Sequence, residues 1–315
     1  MNLLRRVQDR ITGSEWYDQL VFRKRVLLES DRAFVCRQFR KAVGHAPDLE
    51  DPRKFCEKIT WLLLNYRPPA LSSLVDKYEV RAFVRERVGA AFLNELHGVY
   101  SSTAEIRWEA LPRAVVLKAT HGAKWVLICP DQSRLDRNQA RREMDRWLSR
   151  NFYWFGREWI YRDVPHRIIA ERFLDGGNGK PPPDYKFFCF DGQPRLIQLD
   201  AARFENHRRN FYRPDWSLVP VKMIYPNLPD PVPAPSKLDE MLQVARRLSA
   251  GFPFARVDLY QVANQVIFGE MTFLPERGLC AFDDPAFDRE VGGWLTLPPP
   301  MPDKGFFSRL SAVFQ

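Results

Sequence analysis

Two acidic residues near the C-terminal end, Asp258 and Glu270, stand in the segment RVDLYQVANQVIFGEMTF. Apolar and polar residues alternate on either side of Ala263-Asn264, which reads as a β-hairpin turning at those two residues. Counting inward from the turn puts Asp258 near the start of the first strand and Glu270 near the end of the second. The hairpin therefore brings two hard oxygen ligands to one end of a sheet. Magnesium is held by one or two carboxylates together with substrate phosphates. Arg256, two residues before Asp258, lies on the same face of its strand. A divalent cation and a fixed guanidinium aimed at one place suit a triphosphate. The same spacing also fits an ordinary surface hairpin with two solvated acids, so the rest of the chain has to decide.

Three further groups bear on that decision. Lys118 closes a strand just before a loop holding His121 and Gly122, where a lysine can reach phosphates that backbone N–H groups cover. Glu171 ends the strand RIIAE beside Phe173 and Leu174, an arrangement able to meet a purine by its edge and its faces. Asp184 and Lys186 open the next hairpin two residues apart and so share a face. A basic cluster, RFENHRRNFYR, carries Arg203, His207, Arg208 and Arg209 among aromatics. It fits a clamp on a carboxylated or phosphorylated sugar, and equally a solvated basic loop. Single-stranded nucleic acid also suits basic residues among aromatics, but no recognisable RNA- or DNA-binding signature accompanies them, so no nucleic-acid partner is expected.

The elements that must position these groups can be read from periodicity. Leu3, Leu4, Val7 and Ile11 share a helical face in a basic N-terminal region. Asp51-Pro52 predicts a helix start running through Phe55, Ile59 and Leu62. A further helix is expected from about Asp76, with Val80, Phe83, Val84 and Val88 inward and Gly89 at its end. VVLKATHGAKWVLIC reads as strand, glycine-bearing loop, strand, followed by a helix capped by Ser133. KFFCFDGQPRLIQL is a hairpin turning on Asp191-Gly192, and Ser236 and Asp239 open a last helix before the acidic hairpin. Helices alternating with antiparallel hairpins predict an α+β or mixed α/β class, not a doubly wound parallel sheet.

The 315 residues suffice for one large domain or two to three small ones. A net charge of +9 favours anionic partners without choosing among nucleotides, acidic sugars, nucleic acid and a membrane surface. The five cysteines are dispersed with no CxxC, which predicts a reducing, cytoplasmic setting. The N-terminal apolar positions are too scattered for a signal peptide. No apolar run approaches the ~20 residues of a membrane span, so a soluble or peripheral protein is expected. Phe306, Phe307, Leu310, Val313 and Phe314 give the tail an apolar face, able either to pack on its own domain or to lie on the inner face of the membrane.

The order of these features, more than any one of them, resembles the TupA-like ATP-grasp family of bacterial surface-polysaccharide synthesis. The matching stretches include DPRKFCEKITWLLL, VDKYEVRAFV, VLKATHG, REWIYRDVPHRIIAERFL, PDYKFFCFDGQPRLIQLD, GFPFARVDLY and FGEMTF, across roughly residues 50 to 298. The resemblance implies an α+β ATP-grasp fold: two lobes whose antiparallel hairpins sandwich ATP, with a helical N-terminal extension. We accordingly divide the chain into a helical region (1–74), a first lobe with the phosphate-covering loop (75–172), a second lobe with the magnesium site (173–300) and a tail (301–315). It assigns Lys118 to the phosphates and His121, Gly122 and Lys124 to the covering loop. Glu171 and Phe173 would take the adenine and Asp184 the ribose side, while Asp258, Glu270 and Thr272 would hold Mg2+. Arg256 and Lys186 would be catalytic, and Arg203, His207, Arg208, Arg209 and Arg277 would face the substrate. The implied reaction is ATP-dependent ligation of a carboxylate, such as that of a uronic acid, to an amine or amino acid. A sugar kinase, a glycosyltransferase-type enzyme and a non-catalytic nucleotide- or glycan-binding protein are the alternatives. The oligomeric state is not legible.

Five positions depart from the family's pattern. Lys124 stands where a second loop glycine is usual, Val126 and Thr272 where asparagines are, and Glu276-Arg277 where smaller residues are expected. A lysine cannot adopt positive φ cheaply, which predicts a loop of altered shape, but it adds a cation near the phosphates.

Overall fold

The computed structural model describes residues 29–177, 179–201 and 206–301. The N-terminal apolar face from Leu3 to Ile11, Arg203 and the apolar tail lie outside them.

The helical region opens with α1 (Asp31–Val43), α2 (Phe55–Asn65), α3 (Ala70–Val75) and α4 (Val80–Arg87). Helix α2 starts at Phe55 rather than at Asp51-Pro52, because the Glu57 carboxylate accepts the Lys54 backbone N–H (3.2 Å) and closes the first turn there. Asp76 accepts from the backbone N–H groups of Tyr78 and Glu79 (2.8 and 3.2 Å), setting the entry to α4.

A four-stranded antiparallel sheet follows, from β1 (Leu96–Tyr100), β2 (Val115–Ala119), β3 (Val126–Cys129) and β4 (Ile168–Arg172), in the order β1-β4-β2-β3. Helix α5 (Arg137–Leu148) begins at Asp136, whose own carboxylate caps Asn138 and Gln139 (3.0 Å each), not at Ser133. Its Ala140, Met144 and Trp147 pack with Val115, Leu117, Ile168 and Ala170 in one core. Strand alternation then turns Lys118 and Glu171 to the face away from α5. The short α6 (Tyr153–Gly156) lies between α5 and β4.

The second sheet has six antiparallel strands: β5 (Asp184–Phe190), β6 (Gln193–Ala201), β7 (Arg208–Tyr212), β8 (Leu218–Val219), β9 (Phe254–Val262) and β10 (Gln265–Thr272), ordered β10-β9-β5-β6-β7-β8. The β5–β6 turn falls on Asp191 and Gly192, both at positive φ (46° and 76°). Helix α7 (Leu238–Ser249) covers one face of the sheet, and α8 (Pro285–Trp294) follows β10. On the other face, Phe188, Phe190 and Phe254 pack under Phe55 of α2. Beside that aromatic block the same face turns polar, and the candidate site begins there.

Candidate active site

Register across the larger sheet sets Glu270 opposite Asp258, Asp258 opposite Lys186 and Lys186 opposite Gln198, one polar row crossing four strands. Thr272 lies opposite Arg256 on the neighbouring row. Plain counting from the Ala263-Asn264 turn would not produce this row. Val262 pairs Gln265 and Leu259 pairs Phe268, so uninterrupted pairing would put Gly269 opposite Asp258 and turn Glu270 to the other face. A register shift between Phe268 and Glu270 leaves Gly269 as the extra residue and returns Glu270 to the face of Asp258. A Cβ at Gly269 would lie 3.0 Å from the Asp258 backbone oxygen and 2.9 Å from the Tyr260 ring. A lone glycine inside an alternating strand is the sequence mark of such a bulge.

The row is tightly paired. The Lys186 ammonium bonds Asp184 and, at 2.6 Å, Asp258 Oδ2. Arg256 binds Asp258 with two nitrogens (2.7 and 2.8 Å), and its Nη2 also reaches Glu270 Oε1 (3.2 Å) and Thr272 Oγ1 (3.0 Å). Burial pushes the Asp258 carboxyl up, against the pull of Arg256 and Lys186. Burial lowers Arg256, but Asp258 and then Glu270 outweigh it and hold the guanidinium above its usual range. Asp258 is buried, whereas the Glu270 side chain is 39% exposed, so the pair opens toward solvent on the β10 side.

In the smaller sheet, Lys118 Nζ meets Glu171 Oε2 at 2.7 Å and Arg81 meets Glu171 Oε1 at 3.0 Å. Arg81 also bonds the Asn94 backbone oxygen (2.7 Å), tying α4 to the strands. Glu171 is thus held by two cations before any purine is considered. Phe173, just beyond β4, is half-buried. Lys77 is the residue the sequence reading passed over. Its ammonium bonds the Gly122 backbone oxygen (2.6 Å), and it feels Glu270 of the larger sheet as well as Lys118 and Glu171 of the smaller one. Burial, the largest influence, lowers its pKa. The signal was the DK pair just before α4, where Asp76 accepts from the N–H groups of the turn and Lys77 follows it.

The covering loop keeps a glycine backbone without the glycine: Lys124 sits at φ 66°. Such a non-glycine conformation costs of order 1–3 kcal/mol and gathers at functional sites. Gly122 has no room for a side chain, since a Cβ would meet the Trp125 and Phe152 rings at 2.7 and 2.9 Å. His121 is turned inward. Its ring is fully buried, stacks on His166 (4.0 Å between centroids) and places Nε2 2.9 Å from the Trp147 backbone oxygen. Burial, then His166, pushes its pKa down to about 3, so the ring offers no charge to a phosphate at neutrality. Because the folded value lies below the ordinary 6.5, the unfolded chain binds the extra proton between them. Stability from this group is present above pH ~6.5 and drains as pH falls toward ~3. His121→Gln is expected to flatten the acid limb of melting temperature against pH across that window.

The basic cluster also folds inward. Arg209 is 4% exposed and holds Asp200 (2.6 and 3.2 Å), while His207 stacks on Tyr225 (3.6 Å) with Nε2 3.1 Å from Asp200. Burial raises Asp200, but His207 and Arg209 overcome it and keep it below the usual carboxylate range. Arg208 reaches the Asn227 backbone oxygen (3.2 Å). These contacts make Arg209 a strut rather than an open clamp. Arg277 forms no ion pair among the described residues; it and Glu276 both occupy left-handed backbone (φ 60° and 47°).

The family model for TupA-like ATP-grasp proteins matches residues 57–296, well over half of the chain. The chain belongs to the TupA-like ATP-grasp family. Its α+β fold of antiparallel sheets is that of an ATP-grasp protein. Among solved structures, it is similar to D-cycloserine synthetase DcsG (17% identity over 72% of each chain, TM-score 0.42). It is also similar to D-alanine–D-alanine ligase from Bacillus anthracis complexed with ATP (12% identity, 65% of this chain and 55% of that one, TM-score 0.38). A third is the ATP-grasp ligase PsnB complexed with a phosphomimetic variant of its minimal precursor, Mg and ADP (11% identity, 66% and 53%, TM-score 0.37). The chain spans little more than half the length of the last two. No curated protein matches it. Among the described residues no helix of this ATP-grasp chain is long and apolar enough to cross a membrane.

Proposed function

We propose that this protein is an ATP-dependent carboxylate–amine ligase that works through an acylphosphate, joining an amine or amino acid to the carboxylate of an acidic sugar. The supporting observation is the row Glu270–Asp258–Lys186 with Arg256 beside it, and Lys77 within electrostatic reach of both Glu270 and Lys118.

Two carboxylates and a hydroxyl gather around one guanidinium nitrogen, a set of hard oxygens that fits Mg2+. When bound there, the ion would neutralise charge on the β- and γ-phosphates. The side chains supply the rest of the chemistry. Lys118 from the smaller sheet and Lys77 from the turn before α4 orient the triphosphate, and Gly122 and Lys124 close the loop over it. Arg256 stabilises negative charge on the phosphoryl group in flight. Lys186, buried between two carboxylates, keeps Asp258 ionised and oriented. The substrate carboxylate attacks the γ-phosphorus, ADP leaves, and the acylphosphate is then open to an amine. Arg277 is the group we assign to an anionic part of the substrate. We place the reaction in the cytoplasm, where ATP is available, with the apolar tail as its route to the membrane face.

The test is ADP release by the full chain with Mg·ATP across a panel of uronic acids and sugar carboxylates, each with and without amines and amino acids. Release requiring both a carboxylate and an amine supports the reading. Release with a sugar but no amine requirement would replace it with a kinase, and ATP binding with no release would replace it with a binding module.

A further inference from the structure

Glu158 lies just beyond α6, at a reversal where Arg157 takes left-handed backbone (φ 59°). The reversal is pinned: Arg157 is buried, reaches Asp31 Oδ1 at 3.3 Å and sits over the Phe34 and Tyr153 rings. Glu158 is only 8% exposed, yet no described residue donates a hydrogen bond to its carboxylate, which burial and the charges of Arg277 and Glu276 alone perturb. Every other buried acid among the described residues accepts at least one. A carboxylate this deep, whose oxygens keep an opening instead of a protein donor, asks for an explanation.

Its surroundings supply one. Arg277 attracts it and Glu276 repels it, both from the turn after β10, yet neither makes an ion pair with it. Gly156 leaves room for the Arg277 side chain, which donates to the Phe155 backbone oxygen at 3.3 Å; a Cβ at Gly156 would collide with it. Tyr161, whose N–H closes a turn on the Glu158 backbone oxygen (3.1 Å), feels Glu158 together with Glu270, Arg256 and Asp258. The acid therefore stands on the side of the row where β10 runs into the Arg277 turn.

We propose that Glu158 receives the amine nucleophile, its carboxylate accepting the ammonium's hydrogen bonds and then one of its protons. This rests on the carboxylate–amine ligase reading. Once that proton has moved to Glu158, the nitrogen lone pair attacks the acyl carbon. The bond from that carbon to the phosphate oxygen breaks, its electron pair leaves on inorganic phosphate, and the second nitrogen proton goes to phosphate or water. Burial pushes the Glu158 carboxyl up to about 7 against the pull of Arg277, which suits a group that takes and returns a proton near neutrality.

Glu158→Gln separates the two half-reactions. Hydroxylamine, unprotonated near neutral pH, captures an acylphosphate as a hydroxamate without needing a base. With Mg·ATP and the same carboxylate panel, the variant is expected to form hydroxamate at near the wild-type rate. Amide formation with glycine as the amine should fall ~10²–10⁴-fold, the scale of lost general-base catalysis. Its melting temperature should hold or rise, since an unpartnered buried acid becomes neutral. Unchanged amide formation would overturn the proposal, and so would an equal fall in both products, which marks a structural role. Absence of hydroxamate from the wild-type protein across the panel would instead overturn the ligase reading on which the proposal stands.

Discussion

Glu270→Gln is expected to cut ADP release by at least ~10³-fold, the scale on which charges that stabilise phosphoryl transfer act, while leaving the melting temperature almost unmoved. Asp258→Asn should lose as much activity and also melt earlier. The two acids differ in what surrounds them. Asp258 is buried between Lys186 at 2.6 Å and the Arg256 fork at 2.7 and 2.8 Å. Neutralising it leaves two buried cations short of a counter-charge, a change that costs about 3–5 kcal/mol when one partner of a buried pair is lost. Glu270 keeps a 39% exposed side chain, with the Arg256 guanidinium at 3.2 Å and the Thr272 hydroxyl at 3.5 Å, so solvent screens most of what it contributes to folding. Turnover and thermal melting on the same two preparations make the comparison. A Glu270 variant that melts early but retains activity would mean that the acid is a structural brace.

Gly269→Val carries the second large effect, because it acts on register rather than on chemistry. The bulge at Gly269 is what sets Glu270 opposite Asp258. A side chain at that position meets the Asp258 backbone oxygen and the Tyr260 ring at 3.0 Å or less. The strand must then bulge more widely or pair without the extra residue. In the second case Glu270 would lie opposite Val257, a residue with no solvent exposure, and its charge would point into an apolar core. We expect ADP release to fall at least ~10²-fold, as for loss of one oriented charge, with a destabilisation of about 1–3 kcal/mol from overpacking. Gly293→Ala in α8 is the control, since a Cβ there meets nothing within 4 Å and alanine favours the helix. Chemical denaturation and turnover read both variants. Wild-type activity in Gly269→Val would show that the bulge does not set the site.

The class of fold and the identity of the acidic pair were legible because strand alternation, turn residues and the order of motifs leave local marks. Lys118, Glu171, Asp184 and Lys186 could likewise be placed on strands from the chain alone. The facing of Glu270 was not fully legible, since simple alternation turns it away from Asp258 and only the Gly269 bulge restores it. His121 and Arg209 could not be told from surface groups, because burial depends on packing partners such as His166 and Asp200 that are distant in sequence. Lys77 and Glu158 escaped for the same reason. Lys77 lies at the start of a predicted helix but off its apolar face, Glu158 in a stretch with no periodic signature, and each gains meaning only from the groups set around it: Glu270 and Lys118 around one, Arg277 and Tyr161 around the other. Lys124 takes a positive φ in spite of its Cβ, a conformation that alternation and turn rules do not foresee for lysine, and the loop bears the strain of it.

The most direct measurement is a crystal structure of the full chain with Mn2+ replacing Mg2+ and a non-hydrolysable ATP analogue, the metal located by its anomalous signal. The metal should lie ~2.1–2.3 Å from carboxylate oxygens of both Asp258 and Glu270, with the phosphates between it and Lys118. A metal bound by neither acid, or a nucleotide lying away from the Glu270–Asp258–Lys186 row, would contradict the account.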